Sequence, residues 1–243
     1  MCLCWRMGIK LVIRPCRAVS GRAKMEPLNR SGCFMAPKTR SLPPPIPLRI
    51  HSAYSMLEGA LPVSRLVEIA REQQLPAMAI TDNHNLFGSL EFSQSCLKAG
   101  IQPLIGCQFW YQAHVPNPKA VQAEADQLLL LAKDTTGYHN LLKLVSRTYL
   151  HPEEAHAARP LVSYDKLAQY QEGLIALCAG IYGGIGKALL RGHRAQAEQV
   201  TAALHGTFGD RFYIELMRHG WQDEQAIEPG LLALARAHHI PLV

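Results

Sequence analysis

Apolar residues alternate along this chain between two spacings, and the alternation predicts a succession of short strands and amphipathic helices. After Pro43-Pro44-Pro45, a stiff extended stretch, residues 46–51 read as a strand. Val63, Leu66, Val67 and Ala70 then recur at helical spacing and predict a helix over 63–74 that Pro76 stops. The run at 77–80 is a strand, 86–99 a helix closed by Gly100, and Leu104-Ile105 with Phe109-Trp110-Tyr111 a strand interrupted at Gly106. Residues 128–132 are apolar without a break, as a buried parallel strand is. A helix over 135–150 follows, with Leu141, Leu142, Leu144 and Val145 inward. Beyond it come a short helix over 163–171, a strand over 173–178 and helices near 184–191 and 193–206. A strand over 212–217, a helix over 223–238 and the start of a last strand at 240–243 complete the pattern.

Strands alternating with helices of this length imply βαβ units and a parallel sheet, open or closed into a barrel. No Gly-x-Gly-x-x-Gly or Gly-x-x-x-x-Gly-Lys turn follows any strand, which removes the nucleotide-binding reasons for an open sheet and favours a barrel. Pro241-Leu242-Val243 opens a strand without finishing it, so the last strand is expected to be cut short.

Charge changes the picture only once it is located. The chain of 243 residues carries a formal net charge of +6, yet nine of its 25 Lys and Arg and one of its 19 acids lie in residues 1–45. That leaves 16 basic and 18 acidic residues over 46–243, so the folded part gives no electrostatic case for direct DNA binding. Residues 1–45 read as a basic, Pro-terminated extension, or as sequence upstream of a true start at Met25 or Met35. Seven cysteines without framework spacing suit reduced thiols in an intracellular protein, and Cys2-x-Cys4 has no second pair at zinc spacing. No apolar run approaches the roughly 18 residues that span a bilayer, so no membrane association is expected.

The polar turns carry the chemistry. Arg49-Ile50-His51, with Glu58 beyond it, closes the first predicted strand, and Thr81-Asp82-Asn83-His84 follows the second, where a barrel of this kind holds its site. The stretches from Leu48 to Ala60, Pro76 to Asp82, Asn85 to Phe92 and Ala99 to Cys107 closely resemble the N-terminal polymerase-and-histidinol-phosphatase (PHP) domain of bacterial DNA polymerase III alpha subunits. Leu130 to Asp134, Gly137 to Leu141, Gly173 to Leu177 and Asp210 to Leu216 extend the likeness over about residues 46–243.

The resemblance implies a (β/α)7 barrel, TIM-like, in which His, Asp and Glu side chains hold up to three metal ions for phosphoester hydrolysis. Position by position, the match is poor for metal. Arg49 stands for the first His of His-x-His, Asn83 for the His of Thr-Asp-His, Gln108 for a Glu, Gln127 for a His and Gly180 for a Cys or His. Only His51 and Glu58 remain able to ligate, and the last Asp and His of the pattern would fall beyond Val243. The expectation is therefore a degenerate domain with no bound metal, no catalytic residue and a polar network where ligands stood. The competing arrangement is a single-metal site rebuilt from His51, Glu58, Asp82 and His84. Asp82 and Thr81 otherwise serve to cap the next helix or to bond the neighbouring loop.

By the same resemblance, residues 46–243 would be the N-terminal domain of a cytoplasmic bacterial replicative polymerase. Its partners would be the polymerase domains of the same chain, a proofreading exonuclease subunit and the replisome, with DNA met only through the parent. The magnesium of nucleotidyl transfer would belong to the polymerase domain, outside this sequence. The competing function is a metal-dependent PHP phosphoesterase with a residual site.

Overall fold

The computed structural model describes residues 45–112, 125–150 and 160–243; the extension at 1–44 and the polar stretch after the third predicted strand lie outside them. The described residues form six strands and seven α-helices. In order they are α1 (Val63–Glu72), β1 (Ala77–Ile80), α2 (Ser89–Lys98), β2 (Gln102–Gln112), β3 (Asp126–Ala132) and α3 (Thr135–Leu150). Then come β4 (Val162–Ser163), α4 (Tyr164–Gln169), β5 (Leu174–Leu177), α5 (Gly184–Leu190), α6 (Arg194–Phe208), β6 (Phe212–Tyr213) and α7 (Gln222–Ala237).

The sheet runs β1-β2-β3-β5-β6, with β4 on the far end of β2. Two further extended segments flank it. Pro47 and Ile50 accept from the backbone of Ala79 and Thr81 beside β1, so the first predicted strand is present as a loosely paired edge rather than a regular strand. At the other side Leu242 bridges Ile214 in parallel, which is the start of the predicted last strand.

One cluster identifies the interior of the barrel. Ala79, Leu129, Leu131, Ile175 and Leu177 are buried together, with Leu48, Leu104, Tyr213 and Val243 packed against them, and no helix contributes. Residues drawn only from strands and flanking extended segments, one column from each, are what the lumen of a barrel contains. Their neighbours in sequence face outward: Leu128, Leu130, Leu174 and Ala176 meet α3 and α5–α7, while Met78 and Ile80 meet α1 and α2.

Three expectations need correction. The strand at 126–132 is antiparallel to both β2 and β5, so the sheet is mixed. An unbroken apolar run reports burial on both faces, which either direction satisfies, and so carries no direction. Gly106 does not interrupt β2; a Cβ there would stand 2.6 Å from Leu130 O, so the missing side chain lets β3 lie close and the strand runs through. Leu142 does not face the core but is partly exposed, because Asn140 and Leu141 take the inward arc of α3 with Leu144 and Thr148.

Candidate functional site

The loops after the first extended segment, β1 and β6 open on one rim, and the carboxyl end of β2 reaches the same rim. Because β3 runs the other way, its amino end also arrives there, which puts Gln127 opposite Trp110 of β2. Gln127 shares the inward parity of Leu129, and Gln108, paired with Leu129, shares it from β2.

The substituted positions bond to one another in series. Glu215, two residues beyond β6, takes the Arg49 guanidinium in a two-point pair, with Nε at 3.1 Å from Oε1 and Nη2 at 2.9 Å from Oε2. Arg49 Nη1 donates to Gln108 Oε1 at 2.7 Å, and Gln108 Nε2 donates to Asn83 Oδ1 at 2.7 Å. Asn83 Nδ2 donates to Glu58 Oε2 at 2.6 Å, and the same oxygen lies 3.3 Å from His51 Nδ1. Arg49, Gln108, Asn83, Glu58 and His51 are thus brought together as a single chain of polar contacts closed by Glu215. His51 Nε2 is buried without a hydrogen-bond partner. Burial lowers the His51 pKa, opposed by the Glu58 carboxylate and reinforced by the Arg49 cation.

Asp82 belongs to a different arrangement. Its carboxylate accepts from the Ser52 backbone at 2.7 Å, Ser52 Oγ at 2.8 Å and Ser55 Oγ at 2.6 Å, and is buried. Thr81 Oγ1 bonds Ile50 through both its backbone groups. Of the two roles open to Asp82 and Thr81, bracing the neighbouring loop is the one observed; α2 is preceded by Gly88 with no side-chain cap.

His84 is not brought to His51 and Glu58. Its backbone adopts φ +50°, and Nε2 accepts from Trp110 N at 2.7 Å while the ring packs edge-on against Phe109. Phe109 faces outward from β2, the side away from Gln108, so His84 stands across the strand from the polar chain. Burial pushes its pKa down to about 4.

The remaining two positions lie apart from the chain of contacts. Gln127 is buried. Gly180 has φ +51°, and a Cβ on it would meet Met217 Sδ at 2.7 Å, so the Met217 thioether fills the space a ligand side chain would need. Among the described residues no three His, Cys, Asp or Glu side chains converge as a metal group. Sequence reasoning missed Glu215 as a member of the site. The available signal was an acid at the carboxyl end of a predicted strand, on the same rim as an unpaired Arg49.

A mixed sheet wrapped around an aliphatic interior, with helices outside and polar loops at one rim, defines an α/β barrel of the TIM-like kind. The PHP domain model matches residues 47–219, and the chain belongs to the PHP domain family. DNA polymerase III subunit alpha of Caulobacter vibrioides is 42% identical over 196 residues, 81% of this chain and 17% of that protein. The same subunit of Rickettsia bellii is 42% identical over 198 residues, 82% and 16% respectively, and that of Escherichia coli 37% over 196 residues, 81% and 16%. The chain therefore spans about a sixth of the length of the curated relatives it matches. A solved amidohydrolase from Chromobacterium violaceum, with bound sulfate and no metal, superposes with a TM-score of 0.53 at 15% identity, covering 81% of this chain and 84% of that one. That likeness concerns the fold.

Proposed function

We propose that residues 46–243 act as the PHP domain of a replicative DNA polymerase III alpha subunit, supporting the polymerase part of the polypeptide and docking a proofreading exonuclease subunit rather than hydrolysing phosphoesters. The observation that carries this reading is the Arg49 guanidinium seated on Gln108 and Glu215 in the middle of the ligand positions. A fixed cation there repels metal, and two of the neighbouring positions are amides already committed to each other. His51 Nε2 is the one ring nitrogen of the group left without a partner, and Glu58 shares its oxygen with Asn83. The donor set does not fit the multinuclear site of metal-holding PHP domains, and no hydrolytic step is derived through it.

The rebuilt single-metal reading has less support, because His84 and Asp82 are both engaged elsewhere. No helix among the described residues is long and apolar enough to cross a membrane. The bacterial polymerase relatives support, as part of this reading, a cytoplasmic setting in a replisome. Magnesium chemistry belongs to the polymerase part of such a parent. The test is association in trans. The purified 243-residue chain mixed with the Caulobacter alpha subunit lacking its own matched segment should elute as a complex on gel filtration; separate elution contradicts the supporting role.

A further inference from the structure

Two loops of the rim present an apolar surface that the polar chain does not use. Leu57 is fully exposed, Met56 is 84% exposed, and Phe87 and Leu90 are each 71% exposed. The two loops adjoin through Tyr54: the Tyr54 and Phe87 rings meet edge-on with centroids 6.4 Å apart, Asn85 Nδ2 donates to Tyr54 O, and Tyr54 Oη reaches Glu91 at 3.3 Å. Leu90 and Glu91 lie in the first turn of α2, and Phe87 stands immediately before its Gly88 cap.

The exposure is held in place. Asp82 pins the loop through Ser52 and Ser55, and Gly59 crosses Ser52 O so closely that a Cβ would stand 1.8 Å from it. Leu57 sits at φ +70°, a left-handed conformation costly for a branched side chain. A braced loop that strains a leucine in order to present it to water is organised for contact.

Charge and chain direction narrow the occupant. Residues 50–64 and 81–97 contain no Lys or Arg, and their exposed acids are Glu58 and Glu91. Such a surface offers no cation to nucleic acid or anionic lipid and suits a protein face that is apolar with basic margins. Residues 240–243 pair in parallel with the segment after β6, so chain that follows them in a longer relative leaves at the rim that carries these loops. Matched relatives hold more than four-fifths of their length outside the matched segment.

We propose that the surface formed by Tyr54, Met56, Leu57, Phe87 and Leu90 seats the polymerase part of the alpha polypeptide through an apolar face flanked by Lys or Arg. This rests on the function proposed above. Leu57→Asp and Phe87→Asp are placed on exposed positions, and Asp tolerates the left-handed backbone at 57 better than Leu does, so melting temperatures should match the parent. Leu190→Asp, at the exposed end of α5, is the control. Affinity for the Caulobacter alpha subunit lacking its matched segment, measured by calorimetry, should fall on the order of tenfold or more for the two patch variants and stay unchanged for the control. Equal binding by parent and patch variants overturns the assignment and leaves the supporting role standing. Patch variants that keep this affinity but lose the proofreading exonuclease, or that abolish a dimer of the free chain seen by sedimentation, overturn it in favour of those occupants. Failure of the parent chain to bind removes the proposed function and this inference together.

Discussion

Asp82 and Glu58 stand on adjoining loops of one rim, yet they are used in opposite ways. Asp82 is buried with three short hydrogen bonds from Ser52 and Ser55, while Glu58 is half exposed and shares one oxygen between Asn83 and His51. On the Asp82 side a residue of the family's Thr-Asp motif has every near donor drawn from the protein itself and serves as a brace. On the Glu58 side each position has been replaced or left at the end of a row of side chains that runs through Gln108 and Arg49 to Glu215. A rim can thus keep its shape by two routes, one carboxylate saturated by a loop, and a series of amides and a guanidinium bridging what metal ions would otherwise bridge.

The largest expected effect comes from breaking the brace. Asp82→Ala removes the acceptor for a buried backbone N–H and two buried hydroxyls and should lower unfolding free energy by about 4 kcal/mol. Arg49→Ala, which frees a partly solvated Glu215, should cost about 2 kcal/mol. Urea unfolding of both variants side by side checks the contrast, and equal losses would erase it.

A pH-dependent effect, smaller than that of breaking the brace, reports on His84. Burial holds its folded pKa at about 4 against an ordinary 6.5. Between these pH values the unfolded chain takes up a proton that the folded chain refuses, so stability is complete above 6.5 and falls as the pH drops toward 4. The loss should approach about 3 kcal/mol and then level off for this group. His84→Gln should flatten most of that slope in urea midpoints taken from neutral to acid pH. An unchanged slope would mean that the imidazole is not shielded behind Phe109.

Much of this arrangement was legible in the residues, and the illegible part has physical causes. Helical spacing placed α1, α3 and α7 to within about two residues at their ends, because one apolar face per helix leaves a periodic trace. The same trace misplaced Leu142, since a short side chain such as Asn140 can hold an inward position by bonding Glu172 O. Strand direction left no trace in Leu128 to Leu131, which bury alternate faces in either sense. At the rim, substitution of Arg49, Asn83 and Gln108 predicted a polar network, and the order of its contacts follows from which donors and acceptors those side chains own. The closing member, Glu215, was hidden because its partner lies 166 residues away. His84 was hidden because a left-handed residue turns its side chain off the register its neighbours set.

The central claim, that this rim is organised by Arg49 and not by metal, is tested most directly by metal analysis of the purified chain. After equilibration with zinc or manganese and dialysis, the account predicts metal well below one ion per chain. It also predicts no change in melting temperature on adding either ion, since a bound ion would stabilise the fold by mass action. Retention of one or more ions per chain, with a rise in melting temperature that Glu58→Gln abolishes, would contradict it.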